Sequence, residues 1–171
     1  MSKTLTASVL AALLLAALTA CGGISDDDEK SSGQGGGSST KVVDARDAFA
    51  ELSGKVAAAK LTGRVTAEND PNALLGRPHQ YTSKITFSDR RISGDNVVGA
   101  DKGDVSRGGA IEVFGTAADA TARAKYIQSV TKSMSALAEY DYVHGTVLVR
   151  VSHYLTPKQA DAYKLATSEL N

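Results

Sequence analysis

One thiol, three imidazoles and a scatter of carboxylates are the groups in this chain with chemistry to offer. The thiol is Cys21. It follows Leu18-Thr19-Ala20 at the end of a Leu- and Ala-rich run from Leu5, and it stands in front of a glycine-rich stretch. With a single cysteine no internal disulfide forms. A nucleophilic thiol needs a folded setting that lowers its pKa, and a polar tail supplies none. The chemistry that suits Cys21 is attachment of lipid, where each buried methylene contributes about 0.8 kcal/mol and stable anchoring takes two chains.

The imidazoles and carboxylates are less informative. His79 adjoins Pro78 in a loop, while His144 and His153 flank one strand pattern roughly 30 Å apart, too far to share a metal. The segment Gly94 to Gly109 holds Asp95, Asp101 and Asp104, hard oxygen donors on a turning backbone, but their spacing does not fit an EF-hand loop, and Asp and Gly also serve turns. Asp26-Asp27-Asp28-Glu29 is a run of adjacent carboxylates that defines no cage and keeps its surroundings solvated. The chain has no Walker-type phosphate loop, Gly-x-Ser-x-Gly elbow, His-Glu-x-x-His or paired cysteines. No catalytic, cofactor-binding or metal-binding residue is assigned.

The front end has a basic start at Lys3 and an apolar run of about 14 residues, against the ~20 that a membrane-spanning helix needs. With the small residues before Cys21, this resembles the lipobox of bacterial lipoproteins. The resemblance implies a signal peptide over 1–20, cut before Cys21, and two or three acyl chains such as palmitate on the mature protein. Gly22, not Asp, follows the cysteine, so the usual inner-membrane retention signal of double-membrane bacteria is missing. The expected location is the outer face of the bacterial plasma membrane, with an outer membrane as the alternative.

Nineteen basic and nineteen acidic residues balance, and removal of Lys3 with the signal leaves one net negative charge. That offers no basic footprint for nucleic acid and no polybasic membrane patch. Residues 21–40 read as the lipidated cysteine followed by a Gly/Ser/Asp tether too polar to fold. Its root-mean-square reach is roughly 24 Å. Residues 41–171 have the size of one domain.

Helical and strand patterns alternate in that domain. Asp44 can cap a helix whose stripe is Ala45, Phe49, Leu52, Val56 and Ala59. Thr116 can cap a second, with a stripe of Ala120, Ala124, Ile127, Val130, Met134 and Leu137. Thr156-Pro157-Lys158-Gln159 spells a capping box with Pro at the first helical position. Strands are expected over Tyr81–Ser88, Ala110–Phe114 and Gly145–Val151, with a weak edge strand at Arg64–Ala67. The expected fold is α+β: a two-layer sandwich with helices on one face of a small mixed sheet of three to four strands, a ferredoxin-like variant with a parallel crossover between the last two main strands.

Two surfaces follow from that fold. In the loop from Asn69 to Pro78, Leu74 and Leu75 beside Arg77 either dock on a partner or lock the loop to the core. On the sheet, period-two alternation sends Tyr81, Ile85 and Phe87 inward with Val147, Val149 and Val151. Lys84, Glu112, Phe114, Leu148 and Arg150 then form an outer face, a small apolar centre ringed by charge that either lies solvated or meets a partner.

The stretches Val65-Thr66-Ala67-Glu68-Asn69-Asp70-Pro71-Asn72, Leu74-Leu75-Gly76-Arg77-Pro78 and Gln80-Tyr81-Thr82-Ser83-Lys84 resemble uncharacterised lipoproteins of Gram-positive bacteria. So do Gly108-Gly109, Glu112-Val113-Phe114, Tyr140-Asp141-Tyr142 with Gly145, and Leu155-Thr156-Pro157. The resemblance covers most of the domain and implies no activity. The reading is a membrane-anchored extracytoplasmic lipoprotein, a non-enzymatic binding or accessory domain for an envelope protein or cell-wall ligand. The alternatives are an envelope-acting hydrolase or lyase, and a small-solute-binding accessory of a transporter.

Overall fold

The computed structural model describes residues 44–171, so the expected signal peptide, Cys21 and the tether lie outside the described residues. Helix α1 (Ala45–Lys55) starts where Asp44 predicts: the Asp44 carboxylate accepts the Arg46 amide and satisfies one of the orphan donors of the first turn. Strand β1 (Ala59–Arg64) follows at once, earlier than the expected edge strand, and takes Ala59 out of the helical stripe. Strands β2 (Tyr81–Asp89) and β3 (Gly108–Phe114) come next. Helix α2 (Ala117–Thr131) is capped by Thr116 through the Asp119 amide. Strands β4 (Glu139–His144) and β5 (Val147–Ser152) precede α3 (Pro157–Ser168), whose Thr156/Gln159 capping box forms in full.

The domain is α+β, with a five-stranded open sheet in the order β1-β2-β3-β5-β4. Every pairing is antiparallel, which differs from the mixed, ferredoxin-like sheet expected. The difference comes from β4. Its Tyr140-Asp141-Tyr142-Val143-His144 run pairs residue by residue with β5, and Gly145, at φ 53, makes the tight turn between them. The chain therefore crosses from β3 over α2 to the sheet edge, and β5 returns into the gap beside β3. The parallel crossover expected between β3 and the Gly145–Val151 strand does not form, since β3 and β5 pair antiparallel; the strands on either side of α2 that run the same way are β3 and β4, with β5 between them.

On one face, α1 and α3 pack against the sheet as a two-layer sandwich. Phe49, Leu52, Ile85, Phe87, Ile111, Val149, Val151 and Tyr163 share this core. Phe87 stacks between Phe49 at 5.8 Å and Tyr163 at 5.5 Å. A Cβ on Gly109 would stand 2.4 Å from the Phe87 ring and 2.2 Å from the Arg150 carbonyl oxygen, so only glycine fits beneath the stack.

The other face is not open. Ala120, Ala124 and Ile127 of α2 pack there with Tyr81, Phe114 and Leu148. Tyr81 joins this side, not the side of Ile85 and Phe87, because the β2–β3 register slips at Thr82 and one extra residue reverses the alternation. The helix is shorter than its stripe suggested. Val130, Met134 and Leu137 are at least partly exposed, the last two beyond the final helical residue.

Candidate functional site

Alternation along four strands puts charged residues in a row on the α2 side of the sheet. Lys84 pairs in register with Glu112, and Ala110 and Asp141 flank Arg150 from either side. Glu112 is the hub and is fully buried. Its carboxylate accepts from Lys84 Nζ at 2.9 Å and Arg150 Nη1 at 3.1 Å on one oxygen, and from Arg123 Nε at 3.3 Å on the other. Arg150 also donates to Glu139, with Nη2 at 2.9 Å from Oε1 and 3.0 Å from Oε2. Burial works against the charged form of Glu112, yet Lys84, Arg150 and Arg123 together hold its carboxyl below the usual range. Burial pushes the Glu139 carboxyl up, against the pull of Arg150.

The expected outer face is thus brought together, but beneath a helix. Lys84, Glu112 and Arg150 meet in one network, while Phe114 and Leu148 are buried under α2. They form no exposed patch, because α2 covers a face that was expected either to lie solvated or to meet a partner. Arg123 shares a helical face with Ala120, Ala124 and Ile127. A cation within an apolar stripe was the signal that this face meets buried carboxylate.

The loop from Asn69 to Pro78 is fastened, not presented. Tyr81 donates its hydroxyl to Asp70, 2.7 Å from each oxygen, and the amides of Asn72, Leu74 and Leu75 donate to the same carboxylate. Burial opposes ionisation of Asp70, but these donors hold its pKa below the ordinary value. Leu74 and Leu75 pack on the α2-side cluster, and Arg77 stays exposed. Asp70 was not singled out from sequence, although Asp-Pro-Asn is a turn signal. A second buried carboxylate, Asp89, accepts from Tyr163 Oη at 2.6 Å and is gripped by Arg91, which ties β2 to α3.

Two clefts open on the α2 side and adjoin at Pro71, Lys84, Gly103 and Asp104. The first, about 430 Å³, has Lys84 and the Thr62–Thr86 hydroxyl pair among its lining, with Arg64, Asp101 and Lys102. The second, about 320 Å³, is lined by Arg123, Glu139 and Arg150 and bounded by residues 103–106 and 136–138. Together they make an open polar trough whose deepest charges are spent on one another. The side-chain hydroxyls, Arg64, Asp101 and Lys102 can hydrogen-bond a ligand there; Glu112 is held as an acceptor and is poorly placed to deliver a proton.

Asp95, Asp101 and Asp104 do not gather as a calcium site would. Among the described residues no three His, Cys, Asp or Glu side chains come together at metal distance. Asp104 instead caps the short 3-10 turn Val105–Arg107 by accepting the Ser106 amide at 2.8 Å. His79 faces Asp119 at 3.1 Å, and both line a third cavity that Arg123 of the ionic network also lines. No helix among the described residues is long and apolar enough to cross a membrane. No family model matches this chain, and no curated protein or solved structure matches it.

Proposed function

We propose that this chain is a lipid-anchored, extracytoplasmic binding or accessory module, held at the outer face of the bacterial plasma membrane through Cys21. The observation that carries the reading is the placement of the only thiol in the sequence: after a short apolar run with a basic start, and before about 19 mostly polar residues. The polar trough, not a bare sheet face, is the surface offered to a ligand of the envelope. The pairing of Lys84, Arg123 and Arg150 with Glu112 and Glu139 supports binding over turnover, because these groups hold one another's charges in place.

Metabolic labelling with an alkyne palmitate tests the anchor. Wild-type protein takes up label in the membrane fraction, and Cys21→Ser loses the label and leaves that fraction. Equal labelling of both overturns the anchor. Lys102→Glu with Arg64→Glu tests the trough, since both lie at its rim outside the buried network. The double variant folds as the wild type and loses retention on purified cell envelope; unchanged retention removes the trough from the reading.

A further inference from the structure

Asp141 stands apart from the other buried carboxylates. The β4–β5 register sets it opposite Arg150 on the face that α2 covers. Both of its side-chain oxygens are buried and without a hydrogen-bond partner, the only such side-chain atoms among the described residues. The neighbouring charges explain why. From β5, Arg150 is committed to Glu139 and Glu112. From β4 and β3, Glu139 and Glu112 repel an ionised Asp141, and Tyr142 on β4 offers it no cation. From α2, Arg123 reaches Glu112 instead, while Gln128 lies nearby but outside hydrogen-bonding geometry. An ionised carboxylate with no donor costs several kcal/mol in such a place.

The element over this carboxylate is the least anchored part of α2. Ile127 is its last buried residue; Val130 is exposed, as are Met134 and Leu137 in the segment leading to β4. Thr131, Ala136, Leu137 and Ala138 form one wall of the second cleft. A region with few buried apolar contacts opens at low cost.

We propose that Asp141 is a proton-operated latch: with its carboxyl protonated, the last turns of α2 and residues 132–138 lie closed on the sheet, and on ionisation they lift, hydrate the carboxylate and widen the second cleft. The inference holds whatever the trough binds and wherever the chain resides. Burial first, and Glu139 second, push the Asp141 carboxyl up from its ordinary 3.8 to about 7. Each unit of pH climbed between those values multiplies the open fraction by ten, so the whole range gives about a thousandfold.

Carboxyl-carbon NMR on the full chain reads the titration directly. A midpoint near 7 for Asp141 is expected, and one in the ordinary carboxylate range overturns the latch. Amide hydrogen exchange between pH 5 and 8, corrected for base catalysis, reads the motion. Wild-type protection over 127–138 falls by at least tenfold across that range while α1 and α3 hold theirs. Asp141→Asn removes most of that fall, and Glu139, also pushed up by burial, accounts for what is left. The same pH dependence in Asp141→Asn, or an equal loss in all three helices, overturns the proposal. If Asp141→Asn does not fold, the wild-type midpoint and the wild-type contrast between helices decide it.

Discussion

The two faces of one sheet are sealed by different physics. Against α1 and α3 the seal is apolar: Leu52, Phe87, Ile111 and Val149 exclude water by area, and the aromatic stack adds shape. Against α2 the seal is half apolar and half ionic, with Glu112 fixing three cations from three different elements. Apolar packing tolerates substitution of similar volume. A buried ionic hub does not tolerate loss of one member, because what remains is unpaired charge in a poorly solvated place. Polar residues on alternate strand positions therefore do not by themselves mark a solvent face.

Glu112→Ala leaves Lys84, Arg123 and Arg150 without their common acceptor. It is expected to cost about 3–5 kcal/mol in denaturant unfolding, whereas replacing Glu112, Glu139, Lys84, Arg123 and Arg150 together by apolar residues of similar volume, so that no charge is left unpaired, costs far less. Equal losses in the two variants would erase the distinction between the faces. Leu52→Ala, on the apolar face, is expected to cost about 2–5 kcal/mol by cavity formation, with no change in the pH profile.

The pH profile sharpens the same contrast. Glu112, Asp70 and Asp89 carry depressed pKa values, so their stabilisation is present above the ordinary carboxylate range and is lost as pH falls below it. Asp141 has the opposite sign: its contribution is full below its ordinary value and is lost as pH rises through about 7. Glu139, also pushed up by burial, has the same sign as Asp141. Unfolding free energy is therefore expected to peak in the mildly acidic range, and Asp141→Asn removes the Asp141 share of the decline on its alkaline side. A wild-type profile flat from pH 5 to 8 contradicts this assignment. The loss in thermal or chemical unfolding is at most about 4 kcal/mol, and less in proportion to the water that reaches the group.

Thr156→Ala breaks the capping box of α3 and is expected to cost about 1 kcal/mol. Lys55→Ala removes the exposed pair with Glu169, 2.6 Å long, and is expected to change stability by less than about 1 kcal/mol, with the difference vanishing in high salt.

All three helix starts were legible because Asp44, Thr116 and Thr156 each satisfy backbone donors within three residues, a local matter. The main strands were legible from period-two alternation. The topology was not. It turns on β4, whose Glu, Asp and Tyr look like a loop until β5 pairs with them, and on the slip at Thr82, which no single strand displays. Lys84, Glu112 and Arg150 were correctly placed on one sheet face, but that face was expected to be open. The last turns of α2 carry too little buried surface to announce themselves as cover, and Arg123 was the one residue whose position said otherwise.

The first amide of α1 has a mechanical consequence. Ala45 N donates to Ser83 Oγ at 2.9 Å, so the point where the chain enters the fold is tied to β2, an inner strand, not to an edge. Asp44 beside it lies 3.7 Å from Arg64 on β1. A pull arriving from the N-terminal side therefore bears on an inner strand through the Ala45–Ser83 hydrogen bond as well as on the first turn of the helix, while the exposed Asp44–Arg64 contact adds little.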